Sequence, residues 1–109
     1  MRNEKEGKKI INSLPENAKK DLLQYLACYY SYNQLNHTKI SNTIYEGYIS
    51  STSNKIVGFM QALKSCNIIT ENEFLTLVNF FNELEFNYKH LIAFTDNIIV
   101  YENLLNYFK

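Results

Sequence analysis

One proline and three glycines in 109 residues leave this chain few places to turn sharply. They stand at Pro15, Gly7, Gly47 and Gly58. A β-rich domain of this length needs a turn every eight to twelve residues or so, each with its own glycine, proline or asparagine. Long helices joined by short polar turns need far fewer. The expected fold is therefore all-α: a compact single-domain bundle of about five helices spanning residues 1–109. A chain of this size buries roughly 65% of its unfolded surface, enough to fold without staples. An apolar content of 46% excludes wholesale disorder.

Apolar spacing places the helices. Residues 1–12 read as a charged lead-in with a helical turn around Ile10 and Ile11. Ser13-Leu14-Pro15-Glu16 reads as a helix start, with Ser13 as cap, proline in the first turn and Glu16 reaching back. Leu22, Tyr25, Leu26, Tyr29 and Tyr32 then recur at i, i+3, i+4, i+7. Ile40, Ile44 and Tyr48 predict a second, short helix. The polar run Ser50-Ser51-Thr52-Ser53 predicts a break. Ile56, Phe59, Met60 and Leu63 predict a third helix, ending near Cys66-Asn67, where asparagine takes a left-handed cap.

The next stretch, TENEFLTLVNFFNELEFNY (70–88), has four glutamates, four phenylalanines and no basic residue; none occurs between Lys64 and Lys89. Thr70-Glu71-Asn72-Glu73 is a capping box. At about 100° per residue, Phe74, Leu77, Val78, Phe81, Leu84, Tyr88 and Ile92 share a core face. Phe80 falls on the flank, Glu83 opposite the stripe, and Phe86 on the outer side beside Leu75. Asp96 begins a last segment, with Tyr101, Leu104, Leu105 and Phe108 at helical spacing. The expected core is Leu22, Tyr25, Leu26, Tyr29, Ile56, Phe59, Met60, Leu63, Phe74, Val78, Phe81 and Tyr88.

Enzyme signatures are missing: no GxGxxG, Walker loop, GxSxG or HExxH. Cys28, His37, Cys66 and His90 have no metal-ligand spacing, so neither metal nor cofactor is expected. Glu71/Glu73 and Glu83/Glu85 are two apart, hence about 200° apart on a helix, and share no proton. The N-terminal stretch is too charged for a signal peptide, and no run reaches the ~20 apolar residues that span a bilayer, so a cytoplasmic location and no membrane contact are expected. Abundant Asn, Ile, Lys, Tyr and Phe with one arginine suggest an AT-rich genome, such as a low-GC bacterium, its phages or its plasmids.

The charge is zero overall but uneven. Residues 1–20 carry six basic and three acidic side chains; residues 21–109 carry five and eight. Neither excess amounts to the footprint of a dedicated nucleic-acid binder. Residues 53–69 nevertheless resemble the recognition helix and exit turn of winged-helix DNA-binding domains, with apolar residues at Ile56, Met60 and Leu63, a turn residue at Asn67 and an apolar residue at Ile69. The resemblance implies that Asn54, Lys55, Gly58 and Gln61 face DNA. The family's basic hairpin wing is replaced here by the acidic run.

By size, composition and charge layout the chain is similar to small acidic proteins of phages and mobile elements that inhibit host nucleases or CRISPR effectors. Carboxylates then stand in for phosphates and rings for stacked bases in a basic groove. The expected function is a non-enzymatic accessory or inhibitor protein with a protein partner, a host nucleic-acid-processing effector. Its contact residues are Glu71, Glu73, Glu83, Glu85 and Phe86. The alternatives are the DNA-binding regulator and a homodimeric helical module, since nine tyrosines and seven phenylalanines exceed the needs of a small core.

Overall fold

The computed structural model describes residues 3–34, 42–88 and 97–109, with side chains for 3–31, 50–83 and 98–109. The described residues form five helices and no strand: α1 (Glu4–Ser13), α2 (Glu16–Gln34), α3 (Asn42–Ser65), α4 (Glu71–Tyr88) and α5 (Asn97–Tyr107). The domain is all-α, with a radius of gyration of 13.7 Å. α2 packs between α3 and α5, and α4 packs between α1 and α3. Phe80 of α4 meets Phe108, just beyond α5, edge to face at 6.0 Å and joins the two halves of the core.

The stretch expected as a lead-in is a helix of ten residues. Glu4 and Glu6 sit in its first turn, where negative charge suits the helix dipole. Gly7, Ile10 and Ile11 are buried, and each isoleucine contributes about 1.5–3 kcal/mol of apolar burial. The helix stops because Leu14 precedes a proline, which disfavours helical backbone; Leu14 is extended at φ −67°, ψ 152°. Ser13 caps nothing ahead of it: it is the last residue of α1, and its hydroxyl donates back to the Ile10 carbonyl at 2.7 Å. The cap position of α2 falls to Pro15, whose carbonyl accepts from the Lys19 amide at 2.9 Å.

Two other expectations need correction. The predicted break at 50–53 does not occur; α3 is continuous over 24 residues. Serine and threonine permit a helix, and Thr52 is buried one turn before Ile56, extending the Ile56–Met60–Leu63 stripe. On α2 the buried apolar set is Leu22, Leu23, Leu26, Ala27 and Tyr30, while Tyr25 and Tyr29 are only partly buried against it. A helix with a neighbour on each side buries a wider arc than a single stripe describes.

The α3–α4 hairpin follows its local sequence. Asn67 is left-handed at φ 61°. The Ile68 amide reaches the Leu63 carbonyl at 2.9 Å and the Asn67 amide reaches Lys64 at 3.0 Å, a Schellman closure. The capping box forms as spelled: the Glu73 amide donates to the Thr70 hydroxyl at 3.1 Å, and the Thr70 amide to the Glu73 carboxylate at 2.8 Å.

α1 lies against α4 on the flank assigned to Phe80. That ring is fully buried, and Gly7 is the residue beneath it. A Cβ on Gly7 would meet three atoms of the ring, closer than real Cβ atoms approach. Gly7→Ala is therefore expected to overpack this contact and cost about 1–3 kcal/mol. Phe80→Ala should cost about 3–5 kcal/mol. Urea unfolding of each variant reads both; a Gly7→Ala protein as stable as the parent would show that α1 does not sit on Phe80.

Candidate functional site

The acidic run forms α4, and the structure assigns most of its glutamates to the fold. Glu73 is the capping partner of Thr70. Glu71 is exposed and pairs with Lys64 of α3 at 3.1 Å, while the same ammonium lies 4.7 Å from the Phe74 ring centroid. Glu83, placed opposite the core stripe by its helical angle, is half-buried and bonded to the start of α1. Its two carboxylate oxygens accept from the Asn3 backbone amide at 3.0 Å and from the Asn3 side-chain amide at 2.8 Å. A carboxylate from α4 thus sits at the start of α1, where orphan amides and the helix dipole favour it. Sequence reasoning missed Asn3; its partner is 80 positions away. Glu85 and Phe86 occupy the last turn of α4, and their side chains lie outside the described residues.

A second polar tie joins α1 to α5. The Tyr107 hydroxyl donates to Glu4 at 3.1 Å, Lys8 pairs with the same carboxylate at 3.3 Å, and the Lys8 ammonium stands 4.0 Å over the Tyr107 ring. Lys8 first and Tyr107 second hold the Glu4 carboxyl below its ordinary value.

What remains outward on α4 is a polar face with one large apolar residue. Leu75 is 51% exposed. Glu71, Asn72, Asn79 and Asn82 are exposed around the same side. On α3, Asn54, Lys55, Gly58 and Gln61 present the outer face that the winged-helix resemblance requires, and all four are exposed. Gly58 faces open space, with nothing within 4 Å of where a Cβ would stand. The element that follows is α4 with its capped glutamates, not a basic hairpin.

Two concavities border α2. A cleft of about 90 Å³ is lined by Tyr29, Ile56, Val57, Val78, Phe81 and Asn82, among others. A cavity of about 310 Å³ lies between α2 and α5 against Gln24, Ala27, Cys28, Ile98 and Tyr101. Cys28 is half-buried in that wall and Cys66 is exposed at the end of α3; neither forms a disulfide. His37 and His90 lie outside the described residues. Among the described residues no group of acidic, histidine or cysteine side chains is placed to hold a metal ion, and no helix is long and apolar enough to cross a membrane. Comparisons with protein-family models, with curated proteins and with solved structures find no match for this chain.

Two outcomes follow for the α1 ties. Glu83→Ala strands the Asn3 donors and is expected to cost about 1–3 kcal/mol in urea unfolding, since hydrogen bonds to a charged group are the stronger kind. A change within about 0.3 kcal/mol would return Glu83 to the solvated back of α4. Glu4 has a lowered pKa in the folded state, so its contribution is present above the ordinary carboxylate value and is lost as pH falls through the lower folded value. Glu4→Gln should therefore reduce the loss of stability seen on acidification in that window and leave the slope near neutrality unchanged. Thermal melts across the acid range check this.

Proposed function

We propose that this chain is a non-enzymatic binding protein that engages a protein partner through the outer face of α4. The reading supported best is an accessory or inhibitory factor of a phage, plasmid or low-GC bacterium, directed at the basic groove of a nucleic-acid-processing effector. The observation that carries it is Leu75: a large apolar side chain half out in water, rimmed by Glu71, Asn72, Asn79 and Asn82, on a helix without a basic residue. An apolar anchor inside a polar, acidic rim suits a protein interface, because the anchor supplies affinity and the rim steers encounter.

The contact set shifts from the one read in the sequence. Glu71 remains in it as an exposed carboxylate, and Glu85 and Phe86 remain by their place in the last turn of the helix. Glu73 and Glu83 contribute charge from positions where their oxygens already serve the cap and the α1 tie.

The outer face of α3 at Asn54, Lys55, Gly58 and Gln61 supports the DNA-binding regulator as the second reading. One comparison separates the two. Tagged protein is incubated with lysate of an AT-rich bacterium, beside a Leu75→Asp/Glu71→Lys variant and a Lys55→Glu variant. The first variant is expected to lose one specific nucleic-acid-processing protein, by at least about tenfold, and Lys55→Glu to keep it. That purified protein's nuclease or binding activity should fall when the parent chain is added and not when the α4 variant is. Capture that is equal for all three chains, or DNA binding by the pure chain that Lys55→Glu abolishes, would overturn the α4 reading.

A further inference from the structure

The sequence shows six basic residues in its first twenty but not where they point. The fold answers for four of them. α1 turns Gly7, Ile10 and Ile11 inward, which puts Lys5 and Lys9, one helical turn apart, on its outermost line; both are exposed. Asn12 continues that line, and its side-chain oxygen accepts from the Lys19 ammonium at 2.7 Å. The bond brings the first turn of α2 onto the same row. Lys20 is exposed beside it, paired with Glu16 at 3.4 Å. Lys5 and Lys9 have no carboxylate within ion-pair distance among the described residues, whose ion pairs use Lys8, Lys20 and Lys64. The nearest acid on α1, Glu6, points about 80° away round the helix.

We propose that this lysine row, Lys5–Lys9–Lys19, is a docking strip for the phosphate backbone of a nucleic acid. Lys5 and Lys9 are held on a packed helix, and the Asn12 bond fixes the Lys19 ammonium beside the same helix. Lys5 and Lys9 are about 6 Å apart along the axis, close to the rise of two base pairs along a duplex axis, about 6.8 Å. The surroundings select among polyanions. Every large apolar side chain that the described surface exposes, from Val57 to Ile99, lies on other elements, so the strip has nothing to insert into a bilayer. The two concavities described above are lined by residues of α2, α3, α4 and α5 rather than of the strip, so neither offers the strip a seat for the apolar anchors of an acidic peptide. A row of ammonium groups without rings or pockets suits repeating charge and reads no bases. This contact is weak and non-specific, unlike that of a dedicated DNA-binding domain. It is independent of the α4 reading, and it places a cationic edge on a protein whose α4 face is acidic.

The test is fluorescence anisotropy of a short labelled DNA duplex, and of its single strand, titrated with the full chain at about 50 and 200 mM salt. Three phosphate contacts predict that the duplex Kd rises about 40-fold over that range and the single-strand Kd about 20-fold. Lys5→Glu/Lys9→Glu should weaken duplex binding at least about tenfold at the lower salt, with the melting temperature of the protein unchanged because both side chains are exposed. If that variant folds poorly, Lys5→Gln/Lys9→Gln reads the same contact. No binding at low salt overturns the proposal. So does a double variant that binds like the parent, or loss of binding in Lys55→Glu alone, which moves the site to α3. Equal or tighter binding to phosphatidylserine vesicles or to polyglutamate also overturns it, because the strip would then not favour nucleic acid.

Discussion

The contact between the Phe80 ring and the backbone of Gly7 decides how this bundle closes. α2, α3 and α5 form one packed group, and α4 reaches it along the α3 side. That leaves the other flank of α4, with a fully buried phenylalanine, needing a cover. α1 supplies it because glycine lets two helix backbones approach closely with a ring between them. With α1 seated, Ile10 and Ile11 are buried in the same core as that ring. Glu83 then reaches the start of α1 and Tyr107 reaches Glu4, so the polar ties of α4 and α5 follow from the apolar one.

Local grammar is legible in the sequence and long-range partnership is not. The capping box at Thr70 and Glu73 and the left-handed turn at Asn67 depend on residues a few positions apart, and both form as their spelling predicts. The Ile56–Met60–Leu63 stripe is likewise a property of one helix. The errors share a different cause. The angle from one stripe sets Phe80 on a flank and Glu83 outside, but it does not show that α1 covers that side of α4. α1 reads as a lead-in because Ile10 and Ile11 are a thin apolar signal until Phe80 is known to lie above Gly7. The polar run at 50–53 suggests a break because composition alone does not show Thr52 turning inward.

The candidate site divides the same way. The outward face of α3 around Lys55, Gly58 and Gln61 is predictable, since a helix that buries Ile56 and Met60 must present its back. The acidic run is a helix with a polar back, as its spacing predicts, but three of its glutamates hold a cap, an ion pair and a neighbouring helix. Lys64 offsets the charge of Glu71; the hydrogen bonds of Glu73 and Glu83 leave their charge in place for steering, but their oxygens are already engaged and offer a partner fewer direct contacts. Leu75 gains weight for the opposite reason: neither cap nor core uses it.

The distances that α1 spans have a consequence for how the molecule is made. Its described polar ties cross 80 and 103 positions of chain. At a synthesis rate of about 5–20 residues per second, the wait between the emergence of Asn3 and that of Glu83 is roughly 4–16 s. A ten-residue helix is marginal on its own in water. During that wait the nascent α1 segment carries Ile10 and Ile11 with no ring to cover, beside a dense row of lysines. Charge at those lysines favours water around an otherwise sticky stretch until α4 is made.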